Sequence, residues 1–166
     1  WETSYGLPGE GEPPRVVAHI TFEWPAWSQA AYRHWYLEEV LERRPAIEIE
    51  IVLRVQQLTD PADPAVIYST VPEMSQLIGD DRLERAGMTA EVAHPDPADD
   101  PPNIGEARSE HAIEITYEGL YELAEATVAD GTNSLLDEHF GALGGWIAST
   151  LVKLGDLSLD FLPDPD

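Results

Sequence analysis

Cysteine is absent from the 166 residues, and with it any disulfide framework, thiol nucleophile or thiolate metal site. That absence fits a reducing compartment and leads to the expectation of a cytoplasmic protein. Positive charge is nearly absent too. Nine Lys and Arg stand against 32 Asp and Glu, and the formal net charge is −23. The sole lysine is Lys153. So acidic a chain repels phosphate backbones and anionic lipid, which argues against direct nucleic-acid binding and against docking on a membrane surface. No apolar run approaches the roughly 18 residues of a membrane span. The sequence lacks Gly-x-Ser-x-Gly, phosphate-loop and dinucleotide-binding patterns, and we expect no cofactor and no resident metal.

What is present points to a folded chain. Hydrophobic residues make up 43% of it, with five Trp, six Tyr and three Phe, which argues against disorder despite the charge. The length suits one domain over residues 15–162, preceded by a flexible lead-in over 1–14 and followed by an acidic tail over 163–166. The chain begins at Trp1 rather than Met and reads as a segment of something longer. Trp1 to Pro14 has neither the basic start nor the apolar centre of a signal peptide. A small domain is comfortable at a net charge of roughly 2 to 8, so −23 calls for a reason. Three remain open: a basic protein partner, mimicry of nucleic acid, or adaptation to a salt-rich interior, which scarce Lys and abundant Ala, Asp and Glu also fit.

Local patterns supply the elements. Arg15 to Trp24 alternates, with Val16, Ala18, Ile20, Phe22 and Trp24 on one side, and predicts a half-buried strand ended by Pro25. Ser28 reads as the N-cap of a helix running to Arg44, with an apolar stripe through Ala31, Tyr32, Trp35, Tyr36, Val40 and Leu41. Ala46 to Leu58 alternates most clearly and predicts a second strand. Thr59 to Pro64 reads as a turn, and Pro72 as the first residue of a helix through Ala86 that Gly87 ends. Met88 to His94 reads as a strand, and residues 95–109 as a Pro/Asp-rich mobile loop. Glu110 to Val128 fits two periods; like charges stacked at i,i+4 disfavour a helix, so a strand to Tyr117 and a short helix to Ala129 are expected, divided at Gly119. Ser134 to Leu154 is a helix with a Ser134–Asp137 capping box and a core face of Leu136, Phe140, Leu143, Ile147, Leu151 and Leu154. Gly141, Gly144 and Gly145 weaken it by about 1 kcal/mol each relative to Ala, which suggests close approach of another backbone. Leu157, Leu159 and Phe161 alternate as a last strand.

Each strand has one apolar and one polar face, whereas strands covered on both sides read as continuous apolar runs. The expected architecture is therefore a two-layer α/β (α+β) sandwich: about five strands, helices on one face, and an open acidic face. The first strand, helix and second strand resemble a βαβ unit that would pair in parallel. The open face would gather Glu23, Glu48, Glu50, Glu91, Glu110, Glu114 and Asp160, with Arg54 and His19 among them. Read plainly, that face is solvated. Read more sharply, it docks a basic protein surface, since complementary charge speeds association and rejects wrong partners.

Candidate chemistry is sparse. His19 beside Glu48, Glu50 or Glu114 would be a charged-form imidazole able to act as a general acid, the one weak catalytic candidate. His34 and Glu38, at i,i+4, offer two metal ligands where zinc wants three or four. His94, Asp96, Asp99 and Asp100 offer oxygen ligands without the EF-hand pattern. His111 falls inward in the strand register, and His139 falls near the start of the last helix. Trp24, Trp27, Tyr32, Trp35 and Tyr36 cluster around the first strand–helix turn. Such aromatics form core, or, if Trp27 and Tyr36 are exposed, hot spots for a partner; Trp1 and Tyr5 would fold onto them or act as an anchor. The function expected is a non-catalytic acidic interaction domain that docks a basic or self-complementary surface through Glu23, Glu48, Glu50, Glu114, Trp27 and Tyr36. The alternatives are a nucleic-acid-mimicking inhibitor of a DNA-binding protein and a small enzyme using His19 with a neighbouring carboxylate. Edge strands also admit a homodimer.

Overall fold

Alternating sequence becomes an antiparallel sheet here. The computed structural model describes residues 1–7, 13–37, 43–94, 109–125 and 134–163. Five strands, β1 Glu2–Gly6, β2 Val16–Glu23, β3 Ala46–Leu58, β4 Glu84–Ala93 and β5 Glu110–Glu122, form one sheet in the order β1-β2-β3-β5-β4. Every neighbouring pair is antiparallel. Among the described residues there are three helices: α1 Ala26–Tyr36, α2 Pro64–Thr70 and α3 Ser134–Gly155. The fold is α+β, an open antiparallel sheet with helices.

The core lies on one side of the sheet. Val16, Ala18 and Ile20 of β2, Ile49, Ile51, Leu53 and Val55 of β3, and Ile113, Ile115 and Tyr117 of β5 are all buried. They meet Ile67 of α2 and Leu143, Trp146, Ile147, Leu151 and Leu154 of α3. A bulge between Val55 and Leu58 shifts the register, and Gln57 there takes φ 60°. The extra residue lets Val55 and Leu58 both face inward, although strict alternation would send one of them out.

Several expectations are corrected. The lead-in contributes an edge strand, β1, because Glu2 to Gly6 alternate and pair with Val17 to Thr21. The expected parallel βαβ unit is antiparallel: β2 pairs β3 directly, Val16 opposite Val55 and Glu23 opposite Glu48. The helix expected over 72–86 is absent. Asp63 and Pro64 carry the complete start signal instead, Asp63 accepting from the Ala65 N–H at 2.9 Å with Pro64 in the first turn, as caps require. Residues from Glu84 onward then pair with β5.

Strand β5 also runs through Gly119 rather than ending at Tyr117. A Cβ at Gly119 would lie 2.7 Å from Leu83 Cδ2 and 2.9 Å from the Arg82 carbonyl, so glycine serves close packing of the 82–83 segment, not strand termination. Residues 157–161 form no strand beyond a single bridge of Phe161 to Leu58. In α3, a Cβ at Gly141, Gly144 or Gly145 would meet nothing within 4 Å, so no neighbouring backbone approaches these glycines. The helix expected after Gly119 is overturned over its first residues, since Leu120, Tyr121 and Glu122 belong to β5; its remainder from 126 to 129 and the loop expected over 95–109, save Ser109, lie outside the described residues.

Helix α1 is tied to the sheet by one buried hydroxyl. Ser28 is not its N-cap; Pro25 holds that position without a side-chain bond. Instead Ser28 Oγ donates to the Ala46 carbonyl at 2.6 Å, accepts from the Ala46 N–H at 2.8 Å and accepts from Trp24 Nε1 at 2.9 Å. Ser28 is the only buried residue of α1.

Candidate functional site

On the uncovered side of the sheet, register decides which charges meet. One transverse row crosses all five strands: Glu2 faces Thr21, Thr21 faces Glu50, Glu50 faces Glu118 and Glu118 faces Glu84. Directly opposed residues have Cβ atoms about 4.5–5.5 Å apart, and like charges so placed destabilise a sheet. In the next row Glu23 faces Glu48. Glu23, Glu48, Glu50 and Glu118 line a concavity of about 540 Å3, together with Thr21 and Leu120. Among the described residues no cation reaches ion-pair distance of Glu23, Glu48, Glu50, Glu84 or Glu118.

Two rows further along, the arrangement is different. Arg54 lies between Val17 and Glu114. Its Nη1 donates to Glu114 Oε1 at 2.5 Å and to Glu91 Oε2 at 2.7 Å, and its Nε donates to Gln56 Oε1 at 3.0 Å. Burial works against the guanidinium charge, yet the hydrogen bonds and fields of Glu91 and Glu114 outweigh it, and the Arg54 pKa is raised. Glu114 and Glu91 are therefore paired carboxylates, unlike Glu23, Glu48 and Glu50. Glu110 is occupied as well, accepting from the Gln57 N–H at 3.1 Å. Asp160 lies outside the sheet, in the C-terminal segment, with its carbonyl bonded by the Thr59 N–H.

The remaining candidates are dispersed. His19 is bonded to Ser4 Oγ through Nδ1 at 2.8 Å, and its nearest carboxylate is Glu2, at 3.9 Å. Its register partner is Val52, not a glutamate, and it lies exposed on the sheet surface, so the arrangement needed for acid catalysis with Glu48, Glu50 or Glu114 is not formed. The aromatic cluster lies outside the hydrophobic core. Trp24, Tyr32 and Trp35 touch edge to face at 5.6 and 5.8 Å, Arg43 stacks 3.5 Å over the Trp27 ring, and Tyr36 is 78% exposed. His94 bonds to Ser109, while Asp96, Asp99, Asp100 and Glu38 fall outside the described residues. His139 faces inward against Tyr121, whose hydroxyl lies 2.7 Å from Nδ1; His111 is half-buried. Among the described residues no group of three or more His, Asp or Glu is placed to hold a metal, and no helix is long and apolar enough to cross a membrane.

A second feature, on the covered side, escaped the sequence patterns. Beyond the end of the core, β1 and β2 stand apart from α3, leaving a cleft of about 400 Å3. Ile20, Phe22, Phe140, Leu143 and Ile147 form its walls and Gly144 its helical edge. Trp1, Thr3 and Tyr5 line it from β1 and the residue before it. Trp1 stacks on Phe22 at 5.3 Å, and Phe22 meets Phe140 edge to face at 5.6 Å. The only sequence signals were Gly144 inside a strong helix and the aromatic residues of the presumed lead-in.

No protein-family model, curated protein or solved structure matches the chain.

Proposed function

We propose that this chain is an interaction domain that docks a basic protein surface on the uncovered face of its sheet. The observation carrying the reading is the row Glu50–Glu118–Glu84, like charges set directly opposite one another with no cation among the described residues. Such a row breaks the local rule for sheet stability, and sequences break local rules chiefly at functional sites. A partner's Arg or Lys seated in the concavity of Glu23, Glu48, Glu50 and Glu118 would relieve that repulsion and gain affinity and register from it.

Binding of an alternating Arg–Gly peptide at about 0.15 M KCl tests this. The triple variant Glu48→Gln, Glu50→Gln, Glu118→Gln is expected to lose roughly tenfold in affinity, about 1.4 kcal/mol. A control, Glu73→Gln, Glu138→Gln, Asp156→Asn, removes three exposed charges elsewhere and is expected to change affinity less than about twofold. Equal losses in the two triples would reject the face as a site and leave only the general field of a chain of charge −23. Competition by duplex DNA for the same partner would turn the reading toward nucleic-acid mimicry.

A further inference from the structure

The apolar cleft does not end at the Trp1–Phe22 stack. A second hollow of about 340 Å3 adjoins it, sharing Trp1, Phe22 and Ile47 and adding Glu23, Trp24 and Leu123. The two hollows differ in chemistry. The first is walled by aliphatic and aromatic side chains, with the Thr3 and Tyr5 hydroxyls as its polar groups. The second is lined by Trp1, Phe22 and Trp24 together with Glu23, the last residue of β2, which no cation of the described residues pairs.

Aromatic faces beside a carboxylate are the chemistry that recognises organic cations, because ring quadrupoles attract the positive charge while methyl groups pack on the rings. An apolar cavity of about 150 Å3 holds benzene, and small-molecule sites run from roughly 300 to 1,000 Å3. The first hollow, at about 400 Å3, thus has room for two or three rings or a medium alkyl chain. A ligand with an anionic head is disfavoured by Glu23 and by the net charge of −23. We infer that the paired hollows form a binding site for an amphiphilic organic cation: its apolar body lies against Phe140, Leu143 and Gly144, and its ammonium head lies among Trp1, Phe22, Trp24 and Glu23. Gly144 keeps the room for that body, since a Cβ there would meet nothing within 4 Å. The site shares Glu23 with the proposed docking face, whose concavity that residue also lines; Gly144 and the rest of the cleft belong to the covered side alone, so the Gly144→Leu test is independent of that face.

Calorimetric titration with decyltrimethylammonium, decanol and decanoate, each below its aggregation concentration, tests the assignment. In 1 M KCl the Debye length is about 3 Å, which suppresses the general pull of the charge. The cation is expected to bind roughly tenfold more tightly than the alcohol, and decanoate most weakly. Gly144→Leu fills the cleft and is expected to weaken the cation and the alcohol at least tenfold with no fall in melting temperature, because leucine also favours the helix. Gly141→Leu, in the same helix but outside the cleft, is expected to bind as the unaltered chain does. Glu23→Gln is expected to narrow the ratio of cation to alcohol affinity several-fold. No binding of any of the three, or equal binding by the Gly144→Leu variant, would overturn the cleft as a site. A cation preference that is absent in the unaltered chain, or that survives Glu23→Gln undiminished, would overturn the ammonium subsite.

Discussion

The two ends of one sheet face carry the same residue type in opposite states. Around Arg54, Glu114 and Glu91 share a guanidinium and the charges are mutually satisfied. Along the row of Glu50, Glu118 and Glu84, the same carboxylates face one another with no cation among the described residues. Net charge is blind to this difference. A shift of two residues between β3 and β5 would set Glu50 opposite Thr116 or Leu120 in place of Glu118, and Arg54 opposite Ala112 or Thr116 in place of Glu114, so strand pairing decides whether a glutamate steadies the sheet or strains it. The paired end is built for stability; the unpaired end is where an outside cation gains most.

The covered side of the sheet supplies the largest expected effect and the scale for the others. Tyr117 is fully buried behind this face, donating to the Pro72 carbonyl, and burial pushes its pKa up to about 12, while the nearby Arg85 charge lowers it. An unfolded tyrosine titrates near about 10. Between those values the unfolded chain releases the proton first, so stability is fully present below pH 10 and falls as pH rises toward 12. The expected loss is on the order of 2 kcal/mol. Urea midpoints at about pH 9 and 11.5 should show it, and Tyr117→Phe should flatten the alkaline fall. An unchanged slope in that variant would assign the loss to other groups.

Arg54→Met comes next. It leaves Glu91 and Glu114 facing each other's surroundings without their shared cation, and a loss of about 1–2 kcal/mol is expected for a half-buried, hydrogen-bonded charge. Adding Glu114→Gln should recover part of it. If Arg54→Met proves neutral by urea denaturation, the two ends of the face do not differ in the way their geometry implies.

Much of this fold was legible. The alternation of Val16 to Glu23 and of Ala46 to Leu58 marked β2 and β3, two of the three interior strands, with their inward faces, and the long apolar stripe from Leu143 to Leu154 marked α3. What misled was punctuation. Gly119 looked like a strand end because its closeness to Leu83 depends on a segment 36 residues away in sequence. Pro72 looked like a helix start because the complete signal at Asp63–Pro64 was read as a turn. Glu2 to Gly6 looked like a flexible lead-in because an edge strand borrows its order from β2. At the site, periodicity placed Glu48 and Glu50 on one face, but not their opposition to Glu23 and Glu118, which is a property of register. The cleft left almost no trace, since it is defined by space that residues from four elements, β1, β2, β3 and α3, do not fill.

Glu118→Gln carries the smallest effect and the sharpest comparison. It removes the middle carboxylate of the row, so opposition to both Glu50 and Glu84 is lost at once. Stability is expected to rise by about 0.5 kcal/mol, whereas ordinary surface substitutions are near neutral. The gain should be present at about 0.05 M KCl and shrink toward 3 M as the Debye length falls from over 10 Å to below 3 Å. Salt should stabilise the unaltered chain as well. If Glu118→Gln removes a measurable share of that salt dependence, the repulsion is concentrated in this row, as a docking site for a cation requires. If the salt dependence is the same with and without Glu118, the repulsion is spread over the whole acidic surface, and the charge is an adaptation to solvent that any of the carboxylates could have supplied.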